Sequence, residues 1–153
     1  MPRFASKLQY SLSSMWLVTA QRRRVDGFYA RCLRRILRIQ PAYYSRVSNA
    51  RVFELSQARP FTQQLLQKQL ILLGKAARSP ADSMMRRGTF VPGTTIPQIG
   101  RFVRRVGRPR QDWTNELVKL GEQKLGRTRL QQLFRDPSKE AQQRWKMEVR
   151  FNF

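Results

Sequence analysis

Residues 22–39 restrict the fold of this chain more than any other stretch. They read Arg-Arg-Arg-Val-Asp-Gly-Phe-Tyr-Ala-Arg-Cys-Leu-Arg-Arg-Ile-Leu-Arg-Ile. Val25, Phe28, Tyr29, Cys32, Leu33, Ile36, Leu37 and Ile39 recur at helical spacing, which predicts one amphipathic helix with a single buried face. Arg31, Arg34, Arg35 and Arg38 fall at i, i+3, i+4 and i+7, so the same spacing sets them on the opposite face. Such a helix offers an apolar stripe to a core and a guanidinium stripe to a polyanion outside it.

The remaining segments also read as helices. Residues 5–19 suggest a short helix or buried segment, and Gln40-Pro41 signals the end of the basic helix, because a residue before proline avoids αR geometry. Tyr43 and Tyr44 fall in the connector that follows. Ser48 or Asn49 can cap a third helix running to about Gln57, and Pro60 suits the first turn of a fourth over 60–78. In that fourth helix Phe61, Leu65, Leu66, Leu72 and Leu73 form a wide apolar face. From Ser79 to about Arg110 eight prolines and glycines destroy the pattern, predicting a long basic loop with room for a small hairpin around Pro92-Gly93. A loop of this length is uncommon unless it is functional or orders on binding. Helical spacing resumes over 112–124 with Trp113, Leu117, Val118 and Leu120, and Gly126 closes it. Asp136-Pro137 reads as the cap and N1 proline of a last helix. Its thin stripe of Ala141, Trp145 and Val149 predicts loose docking. The expected fold is therefore all-α, a small irregular helical bundle with a long basic loop over about 79–110. Its expected parts are a region 1–78 holding the basic helix, the loop, and C-terminal helices over 111–153.

Charge narrows the function. The 153 residues carry 31 Lys and Arg against nine acids, a net charge of +22. Residues 1–111 hold 22 of the basic residues against Asp26, Glu54 and Asp82, while residues 112–153 hold nine against six acids. A bound polyanion relieves the self-repulsion of such a chain. The arginine bias suits phosphate, whose oxygens the planar fork pairs two at a time. With no histidine and Cys32 as the single cysteine, a disulfide within the chain, a zinc finger and every histidine-based mechanism are excluded. Cys32 lies on the apolar face and reads as a small core residue. The acids are scattered, Asp112 and Glu116 flank a helix start where they offset the dipole, and no nucleotide-binding glycine loop is present. The residues thus point to no catalytic group, cofactor, metal or small-molecule substrate. The longest apolar runs, such as Leu70-Ile71-Leu72-Leu73, are too short for a membrane span.

The candidate nucleic-acid-binding residues are Arg22, Arg23, Arg24, Arg31, Arg34, Arg35 and Arg38 of the basic helix, with Arg101, Arg104, Arg105, Arg108 and Arg110 of the loop. Gly107-Arg108-Pro109-Arg110 can lie extended along a groove or phosphate track. Tyr43, Tyr44, Phe90, Phe102 and Trp113 are available for base stacking, although Trp113 also suits a core position. Eight phosphate contacts to a single strand predict a log-log salt slope of about −5 to −6.

Taken in order, several segments resemble the C-terminal part of LINE-type (non-LTR) retrotransposon reverse transcriptases. Tyr10 and Trp16 stand in Tyr-Ser-Leu-Ser-Ser-Met-Trp, and Arg34-Arg35-Ile36-Leu37 lies in the basic helix. Ser45-Arg46-Val47-Ser48-Asn49, Leu72-Leu73-Gly74-Lys75 and Gly107-Arg108-Pro109-Arg110-Gln111-Asp112-Trp113 follow. The resemblance covers about residues 8–113 and implies a thumb and post-thumb region that holds template RNA and primer. Lys75 stands where the family usually has histidine. The fingers and the palm, with its metal-binding aspartates, have no counterpart here, so the resemblance implies a piece that cannot polymerise.

The expected partner is thus RNA or DNA backbone, RNA above all. The alternative is a structural role in a larger ribonucleoprotein such as an organellar ribosome. The expected location is nuclear or cytoplasmic, with mitochondria left open, because the first 25 residues hold five basic residues, four serines and no acid. Against a transit peptide, Phe4, Leu8, Leu12 and Trp16 can face an ordinary first helix.

Overall fold

The computed structural model describes residues 10, 12–98 and 112–153. The protein is all-α, a small helical bundle with eight helices and no strand among the described residues. In chain order these are α1 (Thr19–Ile36), α2 (Ala42–Ser45), α3 (Asn49–Leu55), α4 (Phe61–Arg78), α5 (Met84–Thr89), α6 (Trp113–Leu125), α7 (Arg127–Arg135) and α8 (Lys139–Asn152). They form two compact units. One spans Leu17–Leu66 and the other holds Met1–Trp16 with Gln67–Phe153, so α4 contributes its opening turns to the first and its remainder to the second.

In the Leu17–Leu66 unit, α1 packs on α3. Tyr29 is the centre of that core, stacked on Phe53 at 6.1 Å between ring centroids and edge-on to Phe61 at 5.9 Å. Leu17, Ala30, Leu33, Val52 and Leu65 complete it. Each large side chain buried there contributes roughly 1.5–3 kcal/mol. Asp26 of α1 caps α4: its Oδ1 accepts the Thr62 N–H at 2.9 Å and its Oδ2 accepts the Thr62 hydroxyl at 2.5 Å. This satisfies one of the amides that a helix start leaves without a partner. Asp26→Ala is expected to cost about 1–2 kcal/mol in denaturant unfolding, the loss typical of a missing cap. A midpoint equal to that of the parent protein would contradict the assignment.

The turns of this unit are made without glycine. After α1, Arg38 takes a left-handed φ of 56°, the Arg38 N–H donates to Arg35 O at 3.3 Å, and the Ile39 N–H donates to Arg34 O at 2.9 Å. That is a Schellman closure with arginine at the position glycine usually takes. Gln57 closes α3 in the same way, with φ 52° and the Ala58 N–H on Phe53 O at 3.1 Å. The basic helix therefore covers Thr19–Ile36 rather than 22–39, ending before Gln40-Pro41 because hydrogen-bonded closure outruns the proline signal.

In the other unit, α6 packs on α7 and α7 on α8. Its core joins Leu70, Leu73, Ala76 and Ala77 of α4 to Phe90, Leu117, Leu130, Phe134, Trp145 and Val149. Phe134 meets Phe90 and Trp145 edge-on, at 6.1 Å and 5.2 Å. The Trp145 Nε1–H donates to Leu70 O at 2.9 Å. Helix α8 is thus firmly docked despite its thin stripe, because Ala141, Trp145 and Val149 are all buried and one of them is an indole. Its cap is Ser138, whose Oγ accepts the Ala141 N–H at 3.0 Å. Asp136 instead closes α7 and accepts the Ser138 N–H at 2.9 Å. Gly126, at φ 81°, ends α6 and starts α7 in a backbone conformation that other residues adopt only with strain.

The stretch expected to be loop from Ser79 onward is folded as far as Gln98. It contains α5 and a turn in which the Val91 N–H donates to Ile96 O at 2.9 Å, with Phe90 bridging Pro97. Arg86 Nη1 donates to Ala77 O at 2.8 Å and Ser79 O at 3.0 Å, tying the segment to the end of α4. The remainder of the expected loop lies outside the described residues.

Candidate nucleic-acid interface

At about 100° per residue, the expected apolar stripe of α1 centres near Ile36, whereas the buried residues Tyr29, Ala30, Leu33 and Arg34 centre about 90° away. The helix is rolled towards its arginine side. The cause is Arg34, which is 4% exposed. Its Nη2 donates to Val47 O at 2.6 Å and Asn49 Oδ1 at 3.1 Å, and its Nη1 reaches Gln40 O at 3.4 Å. The charge lies in the last turn of α1, where the helix dipole favours a cation. Arg34 is therefore a brace of the fold, not a member of an outward stripe. A spacing pattern cannot show this, because the acceptors lie six to fifteen residues further on.

The roll has a second effect. Phe28, Ile36 and Leu37, expected in the core, come to the surface, with Ile36 65% exposed, and Cys32 is only half-buried. The Arg31 guanidinium lies over the Phe28 ring, 5.9 Å from its centroid, a cation–π arrangement. Arg23, Arg24, Arg31, Arg35 and Arg38 are exposed. Arg22 is half-buried, and its Nε donates to Leu17 O at 2.8 Å. Arg101, Arg104, Arg105, Arg108 and Arg110 lie outside the described residues.

Acids are few in Leu17–Leu66, and both of them are already engaged. Leu17–Leu66 contains ten arginines, no lysine and two acids, Asp26 and Glu54, for a net charge of +8. Asp26 is engaged by Thr62, and Glu54 pairs with Arg51 at 2.9 Å. In the other unit the C-terminal helices carry Lys119–Glu116, Arg127–Glu122, Arg129–Glu148 and Arg144–Glu140 pairs. Exposed pairs contribute little to stability, but they offset part of the basic charge of these helices. Arg46, exposed at the end of α2, joins the basic surface and was not among the residues singled out from the sequence.

Of the candidate stacking residues, Tyr43 and Tyr44 are 71% and 69% exposed. Phe90 is buried against Phe134 and is removed from the set, because α5 and its turn fold it into the core. Trp113 is half-buried at the start of α6, and Phe102 lies outside the described residues.

A cavity of about 320 Å³ beside α7 and α8 is lined by Arg129, Leu133, Asp136, Arg144, Met147 and Glu148 among others. Its charges answer one another: Arg129 holds Glu148, and the Ser138 backbone N–H, with a smaller part from its side chain, holds the Asp136 carboxyl below the usual carboxylate range. The stabilisation from Asp136 is therefore present above the ordinary aspartate value and is lost as pH falls through the lowered one. Nearby, burial lowers the Arg78 guanidinium from its ordinary value, partly offset by Asp136, while its Nη1 donates to Leu133 O at 3.2 Å. These contacts hold helices together. Among the described residues no helix is long and apolar enough to cross a membrane.

Comparison with family models, with curated proteins and with solved structures finds no match to this chain.

Proposed function

We propose that this chain binds nucleic acid, RNA above all, through the basic surface of Leu17–Leu66, and catalyses no reaction on it. The observation that carries the reading is an arginine-rich surface with few acids to offset it. Arg23, Arg24, Arg31, Arg35, Arg38 and Arg46 are exposed on a unit whose two acids are already engaged elsewhere. Guanidinium groups in this state pair with phosphate oxygens and release counterions, which is the main source of affinity for a charged strand. The resemblance to the thumb and post-thumb region of LINE-type reverse transcriptases gives the same reading an origin.

The test is a salt titration with a short RNA strand. Six phosphate contacts give a slope of log K against log salt of about −4, and contacts from Arg101–Arg110 steepen it. Replacing Arg24, Arg31 and Arg35 together with alanine is expected to flatten the slope by about two units. A slope near zero for the parent protein would refute the proposal.

A further inference from the structure

The tyrosine pair sits on a braced projection. Gln40 and Val47, whose carbonyls both accept from the buried Arg34 guanidinium, bracket Tyr43 and Tyr44 on either side. Ser45 Oγ donates to Gln40 O at 3.0 Å, closing the same loop from within. The two tyrosine rings lie 4.3 Å apart, tilted by 40°, and both remain largely exposed. Arg38 and Arg46 flank them in the chain, exposed and with a left-handed φ of 56° each. Glycine adopts that conformation without strain, so the backbone does not explain why arginine stands at either place.

We infer that Tyr43 and Tyr44, with Arg38 and Arg46 beside them in the chain, form a platform on which unpaired bases of a single strand stack while the arginines take the adjoining phosphates. The inference rests on the proposed nucleic-acid binding and narrows it to strands with accessible bases. An exposed aromatic pair on a +8 surface costs hydration and contributes no packing to the core. Stacking on a base face recovers that cost, and every base offers one. A duplex hides its base faces and presents only phosphates to the same groups. Arg34 acts here as a positioning residue, since it touches no strand and holds both ends of the projection.

Fluorescence anisotropy with the full chain tests this. The probes are a twelve-nucleotide mixed-sequence strand as RNA and as DNA, a duplex of the same length, and an abasic strand with the same number of phosphates. The base-bearing strands are expected to bind about tenfold more tightly than the abasic strand. Y43A/Y44A is expected to abolish that difference while leaving abasic binding and the salt slope unchanged, and Y43F/Y44F to preserve it. R38G/R46G is expected to keep or raise the melting temperature while weakening every strand, which separates the binding role of these arginines from folding. Equal binding of base-bearing and abasic strands overturns the platform and leaves the proposed phosphate grip standing. So does an equal loss on both in Y43A/Y44A. Failure of every probe to bind overturns both. Tighter, tyrosine-dependent binding to vesicles of neutral and anionic phospholipid in a 3:1 ratio, about three parts to one, overturns the platform in favour of a lipid surface.

Discussion

Gly74→Ala is expected to lower the stability of this protein by roughly 3–5 kcal/mol, the range for disrupting a large core aromatic. At an ordinary helix position the same substitution stabilises by about 0.8–1 kcal/mol, because alanine is the better helix former. Here a Cβ would overlap the Trp145 indole nitrogen and lie 2.5 Å from its Cδ1 and 2.9 Å from its Cε2. Trp145 cannot move aside cheaply: it is fully buried, edge-on to Phe134, and bonded through Nε1–H to Leu70 O. Gly27 is the control. It also lies within a helix, and a Cβ there meets nothing within 4 Å. Gly27→Ala should therefore raise the unfolding midpoint where Gly74→Ala lowers the melting temperature by about 10 °C. Similar midpoints for the two variants would show that the indole does not lie against α4.

Arg34→Met is expected to cost about 1–3 kcal/mol, since it removes a buried guanidinium and leaves the Val47 carbonyl and the Asn49 side chain, which are only partly shielded from water, without their charged donor. Arg34→Lys should recover little of this. One ammonium cannot reproduce the fork that reaches Val47 and Asn49 from one nitrogen and Gln40 from another. Arg35→Met, one residue away and exposed, should change stability by less than about 0.5 kcal/mol. Its effect should fall on the salt dependence of RNA binding. Urea denaturation of the three variants beside the parent checks the assignment, and equal losses at 34 and 35 would contradict it.

These two sites show where the sequence was legible. Periodicity located α1, α4 and α6 to within a few residues, and Ser48 is the cap of α3, accepting the Arg51 N–H at 3.2 Å. It misplaced the end of α1 because the closing residue is Arg38, and an arginine at positive φ carries no signature of a helix stop. It missed α5 because Met84-Met85-Arg86-Arg87-Gly88 has no repeating apolar face, and the segment is held by Arg86 and by one phenylalanine in a core made elsewhere. It understated α8 because counting three apolar residues ignores that one of them is an indole with a carbonyl to bind.

The candidate surface divides in the same way. Composition and charge order alone determine that the acids gather in the last 42 residues and that Leu17–Leu66 is rich in arginine and free of lysine. These are sums over the chain, and no folding alters them. Which arginines face solvent is a different matter. Spacing makes Arg31, Arg34, Arg35 and Arg38 equivalent, and three of them stay exposed while the fourth is buried on acceptors from Gln40 to Asn49. That choice turns α1 about its axis, brings Phe28 outward beneath Arg31, and fixes the projection that carries Tyr43 and Tyr44. Only the tertiary structure could decide it, because one buried guanidinium must find several oxygens at once, and the oxygens that satisfy it come from chain beyond the helix.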